Sequence, residues 1–572
     1  MRSVQGQSVN KAKKKHGKAL KVIPLGGLCE IGKNMTLYEY GNDMIIVDIG
    51  VAFPEETQPG IDSVIPDMTY VLENRNKLRG IFLTHGHEDH IGSLAYLLKS
   101  VDVPVYGGRL TMELVDFKIE EKGIRGRANN LRIIQPGEKI RAGCFEVEAI
   151  HVNHSIADAF SFAIDTPAGM CIHSGDFKID YTPIHGKPID LRRFAALGEK
   201  GVLLFMCEST NIERAGFSSS EKTVGEAFSG HFKKAKGRIL VATFSSNVHR
   251  VQQVITAAEQ NDRKVALVGR SMLNVCRAAN NIGYLDMKPG TLIDVADINQ
   301  YPPEKLVIIT TGSQGEPLAA LTRMAFSEHR FVEINSSDTV IISATPIPGN
   351  EKPIYRVINE LYKRGAKVVY SDLADIHVSG HAYREEIKIL HQLIHPKYFL
   401  PGHGEYRHLY MHAQLANEMG QPWNSIYLLN NGDIFQISQD NNNEAGIVGY
   451  AQADAIMIDG APDSTVDTEV LNQRKTLSDD GVITVSLAVD VAKKRLLGEP
   501  VVHTRGFIYE KDIGSMNQTI IKRVNQFVNK ARQSDQPFLP SIRSNALRNQ
   551  LQSVLYSHTH RRPVLLLSII EV

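Results

Sequence analysis

The chain has 572 residues, long enough for two to four domains, and its 64 Lys+Arg against 63 Asp+Glu leave no bulk charge, so a polyanion partner would have to meet a local basic surface. Its 42% hydrophobic content provides for sizeable cores, and its five scattered cysteines, without a CxxC pair, exclude a disulfide framework and read as the reduced thiols of a cytoplasmic protein. No apolar run is long enough to span a bilayer, the terminal PVLLLSIIEV included, which excludes a membrane role.

In chain order, residues 1–19 form a basic, flexible tail, with Lys11, Lys13, Lys14, Lys15 and Lys18 either merely solvated or touching phosphates. Residues 20–214 are dominated by short β-branched and aromatic runs bounded by Gly, Pro, Asn or Asp (MTLYEY, DMIIVDIG, GIFLTH, FEVEAIHV, GMCIHSGD), with helical IGSLAYLLKSV among them, and predict a layered α/β sheet. From 215 to 370 strands such as GRILVATF and KLVIITTG alternate with helices such as NVHRVQQVITAAEQND, the spacing of parallel βαβ units. A strand before a histidine loop then returns in KYFLPGHGEYRH, so 215–370 reads as an insertion splitting a domain that resumes over 371–448. A polar stretch over 449–460 reads as a linker, and 461–572 as a small C-terminal α/β domain suited to self-association.

The densest chemistry lies in THGHEDHIGS, where His85, His87, Asp89 and His90 fall within six positions around Gly86. Imidazole and carboxylate together suit a borderline metal such as zinc, and manganese accepts the same donors. His85 and His87 can face one ion while Asp89 and His90 face another. Further donors stand just past other apolar strands: His151 and His154 in HVNHSIADAF, His173 and Asp176 in IHSGDFKID, and His403 in LPGHGEYRH. The turn FSSNVHR would present the amides of Ser246, Asn247 and Val248 at a helix N-terminus, a natural anion site, unless the two polar side chains simply cap that helix. TTGSQGEP is Gly-rich but lacks the lysine of a P-loop, so it holds no nucleoside triphosphate; it lines an RNA channel or is a plain turn.

The HxHxDH run followed by a further His, an Asp and a last His resembles the metallo-β-lactamase superfamily. That resemblance implies one zinc on His85, His87 and His154, a second on Asp89, His90 and His403, and Asp176 bridging the two. It favours His154 over His151, because HSIADA is similar to the superfamily's HSIPD-type stretch. Glu208 in CESTN, then His377, Val378, Ser379, Gly380 and His381 in HVSGH, then His403, resemble the three further motifs of the β-CASP nucleases, although many relatives carry Asp in SDSTN at the acidic slot. By this likeness Asp89 and Glu208 serve the reaction, Glu208 orients His381, and His381 is the general acid. The competing reading of Glu208 is a carboxylate at a helix N-terminus.

LGGLCEIGKNM, HSGDFKID, ATFSSNVHR, TTGSQGEP, SATPIPGN, PGHGEYR, TRGFIY and RRPVLLLSIIEV extend the likeness over nearly the whole chain, to the bacterial ribonuclease J family. The implied fold is α/β: a metallo-β-lactamase αββα sandwich with an inserted β-CASP domain and a small C-terminal α/β domain. The implied activity is a zinc-dependent 5′→3′ exoribonuclease that prefers 5′-monophosphate RNA and also cuts internally, in RNA maturation and mRNA decay. The implied partners are single-stranded RNA, further copies of the chain in a homodimer or homotetramer, and an RNA-decay complex. Ser246, Asn247, Val248 and residues 377–381 become phosphate-binding candidates. The rivals are a weakly active paralogous RNA-binding subunit and a hydrolase of small molecules.

Overall fold

The computed structural model describes residues 19–572 except 56, 317, 346–350, 372–375, 440–443, 461–463 and 509; the expected basic tail, but for its last residue, and the end of SATPIPGN lie outside the described residues. The chain forms two compact units, one ending in Ile65–Ala455 after the residues before Phe53, the other made of Phe53–Val64 and Ile456–Val572.

In the first unit two sheets lie face to face. One has the order Ala445–Tyr450, Asp433–Ser438, Ala19–Gly26, Met35–Tyr40, Asp43–Val47, Leu78–Phe82, Val105–Gly107, Leu131–Ile133; the other runs Tyr398–Gly402, Leu204–Glu208, Gly169–His173, Phe160–Thr166, Phe145–His151, Lys139–Ala142. Their facing side chains, among them Val22, Tyr38, Phe82, Phe145, Phe162, Leu400 and Phe435, form one buried core. On the far side of the second sheet Phe194, Phe205, Leu390 and Phe399 build another core, under the helices Leu191–Lys200 and Arg384–Ile394. Strands covered on both faces read as unbroken apolar runs, as LFMCE and YFLPG do, both wholly buried.

Between the halves of this sandwich the chain builds a parallel sheet in the order Leu292–Ile293, Lys264–Val268, Leu306–Thr310, Ile239–Ala242, Thr339–Ile342, Lys367–Val369, packed with helices that include Val248–Gln260 and Glu351–Lys363. Residues 311–316 of TTGSQGEP turn tightly after the strand Leu306–Thr310: Gly312 and Gly315 have φ of +98° and +74°, and a Cβ on Gly315 would overlap the backbone of Pro353.

The second unit centres on Val482–Asp490, flanked by antiparallel Val501–Arg505 and parallel Val564–Glu571. Ile483, Val485, Leu487 and Val489 alternate into a core with Ile520, Val524, Leu547 and Leu551, the period of two expected of a half-covered strand. The excursion Phe53–Val64 was not foreseen: Asp62 donates its amide to Ile458 O at 2.9 Å and accepts from the Gly460 amide at 2.7 Å. Nor is 449–460 a plain linker. Gly449 and Tyr450 finish the strand Ala445–Tyr450, paired with Asp433–Ser438, and Ile456–Ile458 is a strand of the second unit. The Asn- and Gly-rich flanks of AGIVGY hid its strand-forming Ile447, Val448 and Tyr450.

Candidate metal centre

Each donor follows the C-terminal end of a strand. Asp48 follows Asp43–Val47, His85 and His87 follow Leu78–Phe82, His154 follows Phe145–His151, and Asp176 follows Gly169–His173. The strands Tyr398–Gly402, Leu204–Glu208 and Gly169–His173 of the second sheet run parallel, and their register sets Glu208 beside Gly402, one residue before His403. Open sheets gather ligands at such ends.

Three clusters of ligand atoms result, each within 4.8 Å: His85, His87, His154 and Asp176; Asp89, His90, Asp176 and His403; and Asp176, Glu208, His381 and His403. In the first, His87 Nδ1 stands 2.9 Å from His85 Nε2 and 3.1 Å from His154 Nε2. Nitrogens that share a tetrahedral zinc at 2.0–2.1 Å stand about 3.3 Å apart. Asp176 Oδ2 lies 3.6 Å from His85, 3.7 Å from His154 and 3.2 Å from His90, while its Oδ1 lies 3.2 Å from His403 Nδ1. None of these approaches has hydrogen-bond geometry; both Asp176 oxygens and His403 Nε2 are buried without a hydrogen-bond partner among the described residues. Buried polar atoms seldom go unpaired, so a carboxylate left bare among imidazoles fits a cation.

The charge states agree. Burial, then the neighbouring imidazoles, push His85 and His154 well below the usual histidine range, and burial brings His87 to about 4, so these rings are neutral and able to ligate. Burial opposes protonation of His403 too, but Asp176 and Asp89 overcome it and raise the ring to about 10. Without a metal, its proton supplies positive charge where a dication would sit.

The supporting residues were less visible in the sequence. Asp48, at φ +60°, accepts from His90 Nδ1 at 2.7 Å and from the Thr84 hydroxyl and amide at 2.7 and 2.8 Å, which turns His90 Nε2 toward Asp176. Thr210 Oγ lies 2.9 Å from His403 Nδ1. His154 Nδ1 donates to Gly380 O at 2.6 Å, and a Cβ on Gly380 would stand 2.8 Å from the His154 ring, so only glycine allows this approach. The Asp of IIVDIG and the Thr of CESTN were readable as polar groups past strands, but nothing in their spacing tied them to a partner.

Of the competing candidates, His151 bonds Lys187 O at 2.8 Å and belongs to none of the clusters. His173 is half-buried, its Nδ1 3.1 Å from the Tyr38 hydroxyl. Glu208 ends a strand rather than opening a helix: Oε1 accepts the Phe177 amide at 2.9 Å and Oε2 holds His381 Nδ1 at 2.8 Å. Burial works against a charged His381, yet Glu208 and Asp176 raise its pKa above the ordinary value. In HVSGH, the Ser379 hydroxyl accepts from Asn211 Nδ2 at 2.7 Å and from the His381 amide at 3.2 Å, so its own proton is left to donate. Val378 is buried, and His377 Nδ1 is buried without a hydrogen-bond partner among the described residues.

FSSNVHR requires a correction. The amides of Asn247 and Val248 are spent on Phe244 O and Ser246 O, and the Asn247 side chain caps the helix through the Arg250 amide at 2.9 Å. Sharp turning at the helix entry consumes two of the three amides expected to face an anion, which leaves Ser246 as the member of this turn to serve one.

Comparisons with known proteins agree with this architecture. Residues 30–165 match the metallo-beta-lactamase superfamily, 236–361 the ribonuclease J beta-CASP domain, 365–428 the Zn-dependent metallo-hydrolase RNA specificity domain, and 469–572 the ribonuclease J C-terminal domain. Ribonuclease J of Synechocystis sp. is 43% identical over 519 residues, 90% of this chain and 80% of that one. Ribonuclease J2 of Bacillus subtilis is 37% identical over 98% of this chain and 100% of its own. The crystal structure of a protein of unknown function from Enterococcus faecalis V583 shares the fold at a TM-score of 0.50 and 17% identity, over 73% of this chain and 100% of its own.

Proposed function

The chain belongs to the ribonuclease J family of RNA-cleaving hydrolases, and from that premise we propose a zinc-dependent 5′→3′ exoribonuclease that prefers a 5′-monophosphate and also cuts internally, acting in RNA maturation and mRNA decay. The observation that carries the reading is the meeting of His381, from the HVSGH loop, with Asp176: His381 Nδ1 stands 3.7 Å from the carboxylate shared by both donor sets. A group able to give a proton therefore stands at a centre able to hold metal.

His85, His87 and His154 would hold one zinc ion and Asp89, His90 and His403 a second, with Asp176 a shared donor; manganese suits the same atoms. When bound, they supply Lewis-acid charge neutralisation at a scissile phosphate. The protein's own groups do the rest. Glu208 occupies His381 Nδ1, so Nε2 is the atom that faces substrate and gives its proton to the departing 3′ oxygen. Asn211 donates to His381 O at 3.2 Å and to Ser379, and so sets the acid and the phosphate loop together. The Ser379 hydroxyl, His377 and Ser246 are the donors proposed for a terminal monophosphate. Burial, then Arg250, lowers His377 to about 3, so it would act as a neutral N–H donor. A pocket of hydroxyls and imidazole accepts one phosphate and rejects the bulk and charge of three.

Among the described residues no helix is long and apolar enough to cross a membrane. We assign the protein to the cytoplasm, with single-stranded RNA as substrate, a homodimer or homotetramer as its assembly, and an RNA-decay complex as its setting. The test is one RNA sequence offered with a 5′-monophosphate, with a 5′-triphosphate and as a closed circle, with and without zinc. Zinc-dependent mononucleotide release, fastest from the monophosphate, is expected. His381→Ala should lower every rate by roughly 10²–10⁴-fold with metal content kept; loss of metal in step with activity would make His381 a ligand instead.

A further inference from the structure

Arg250 is wholly buried, an unusual place for a guanidinium, and the chemistry above uses it only as a charge beside His377. Its amide is capped by Asn247 in the FSSNVHR turn at 2.9 Å. Nη2 donates to Glu221 Oε2 at 2.6 Å, and Nη1 to Ile376 O at 3.1 Å and to the Ser343 hydroxyl. Ser343 donates in turn to the same Ile376 carbonyl. Glu221 is tied to the stretch after Asp176, its amide donating to Asp180 Oδ2 at 3.2 Å, beside Lys178, whose Nζ reaches Ser219 O at 3.1 Å. One side chain thus joins three segments: the turn carrying Ser246, the residue that precedes His377 in HVSGH, and, through Glu221, the segment that carries Asp176.

We propose that Arg250 is a positioning residue that sets the distance of the monophosphate pocket from the metal centre, with Glu221 as its counter-ion; the inference rests on the functional reading above. The far end of the HVSGH loop is fastened separately, Gly380 by His154 and His381 by Glu208 and Asn211. Arg250 therefore governs the near end, His377 and its neighbours, while the acid keeps its own supports. A buried ion pair contributes little net stability and is retained for geometry more readily than for energy. A lysine cannot replace it, since one ammonium does not serve Glu221 and Ile376 O with a planar fork.

The experiment uses the full-length, zinc-loaded protein. The double variant E221Q/R250M removes both charges at once and so leaves none unpaired. It should release mononucleotides from 5′-monophosphate RNA about 10–100-fold more slowly, the scale of a misplacement near 1 Å, yet cut the circular RNA at close to the normal rate. The preference for monophosphate over triphosphate should shrink toward one. Arg250→Lys, which keeps the buried charge, should shrink the same ratio and serves where the double variant does not fold. Equal losses on linear and circular RNA, or an unchanged preference, would overturn the inference while leaving the functional reading in place. A wild-type protein blind to the 5′ end would overturn that reading and this inference with it.

Discussion

Asp48 shows what a single side chain settles at this centre. It holds His90 Nδ1 at 2.7 Å, so the opposite nitrogen is committed to the Asp176 side. Partners of this kind fix the ring's tautomer and typically account for 10–100-fold in metal affinity. Asp48→Asn should therefore weaken zinc binding by roughly that factor and leave some activity at saturating zinc, as chelator competition would measure. Asp176→Ala should do more, because the carboxylate serves both donor sets: zinc retention and turnover should both be abolished, and a variant with full metal and a near-normal rate would refute the bridging assignment. Four of the seven proposed ligands could be picked out from their own motif, since HxHxDH crowds donors as no packing residue requires, while His154 was separated from His151 only by the family likeness. Asp48, Thr84, Thr210 and Asn211 could not, because each bonds a partner brought in from another segment, the His90 ring, the Asp48 carboxylate, the His403 ring and the His381 carbonyl in turn, and pairing across a fold has no local signature.

At the scale of elements, the strands of the sandwich and the βαβ insertion followed from apolar runs and alternation, which report burial directly. The strand Ala445–Tyr450 did not, nor did the attachment of Phe53–Val64 to the second unit, since both depend on a partner far along the chain. The helices Arg384–Ile394 and Tyr406–Glu418 raise a different matter. His391 packs edge-on against Phe399, and His412 lies against the same ring with its Nδ1 2.9 Å from the Ser209 hydroxyl. Burial lowers His391 to about 4 and His412 to about 3. Their folded-state pKa values lie below the unfolded value near 6.5, so the unfolded chain takes up more protons once the pH falls through 6.5. Stability is then full above that pH and lost below it, by up to about 1.4 kcal/mol per histidine per pH unit, until the folded values are reached. Urea titrations at pH 7 and pH 5 should show this loss in the wild type and a smaller loss in His391→Leu; equal losses would count against it.

For the whole molecule, the proposed catalytic residues all fall between Asp48 and His403, outside the C-terminal block. The edge strand Val564–Glu571 exposes Leu566 and Ile570 by 52% and 55%. Truncation after Ala455 should therefore spare zinc binding and yield smaller particles by light scattering; an unchanged particle size would place association elsewhere. The order of segments along the chain also has a consequence in time. His403 and the strands Tyr398–Gly402 and Asp433–Ser438, which complete the two sheets, are encoded after the entire insertion. A ribosome must emit roughly 230 residues beyond Glu208 before the sandwich can close, which at 5–20 residues per second takes about 10–45 s. Until residue 381 is added the growing chain carries His85, His87 and Asp176 but neither His381 nor His403, and so should be inert toward the messenger that encodes it. Ribosome-bound chains halted before residue 376 should leave RNA uncut, whereas chains extended past 450 and clear of the exit tunnel should cleave it.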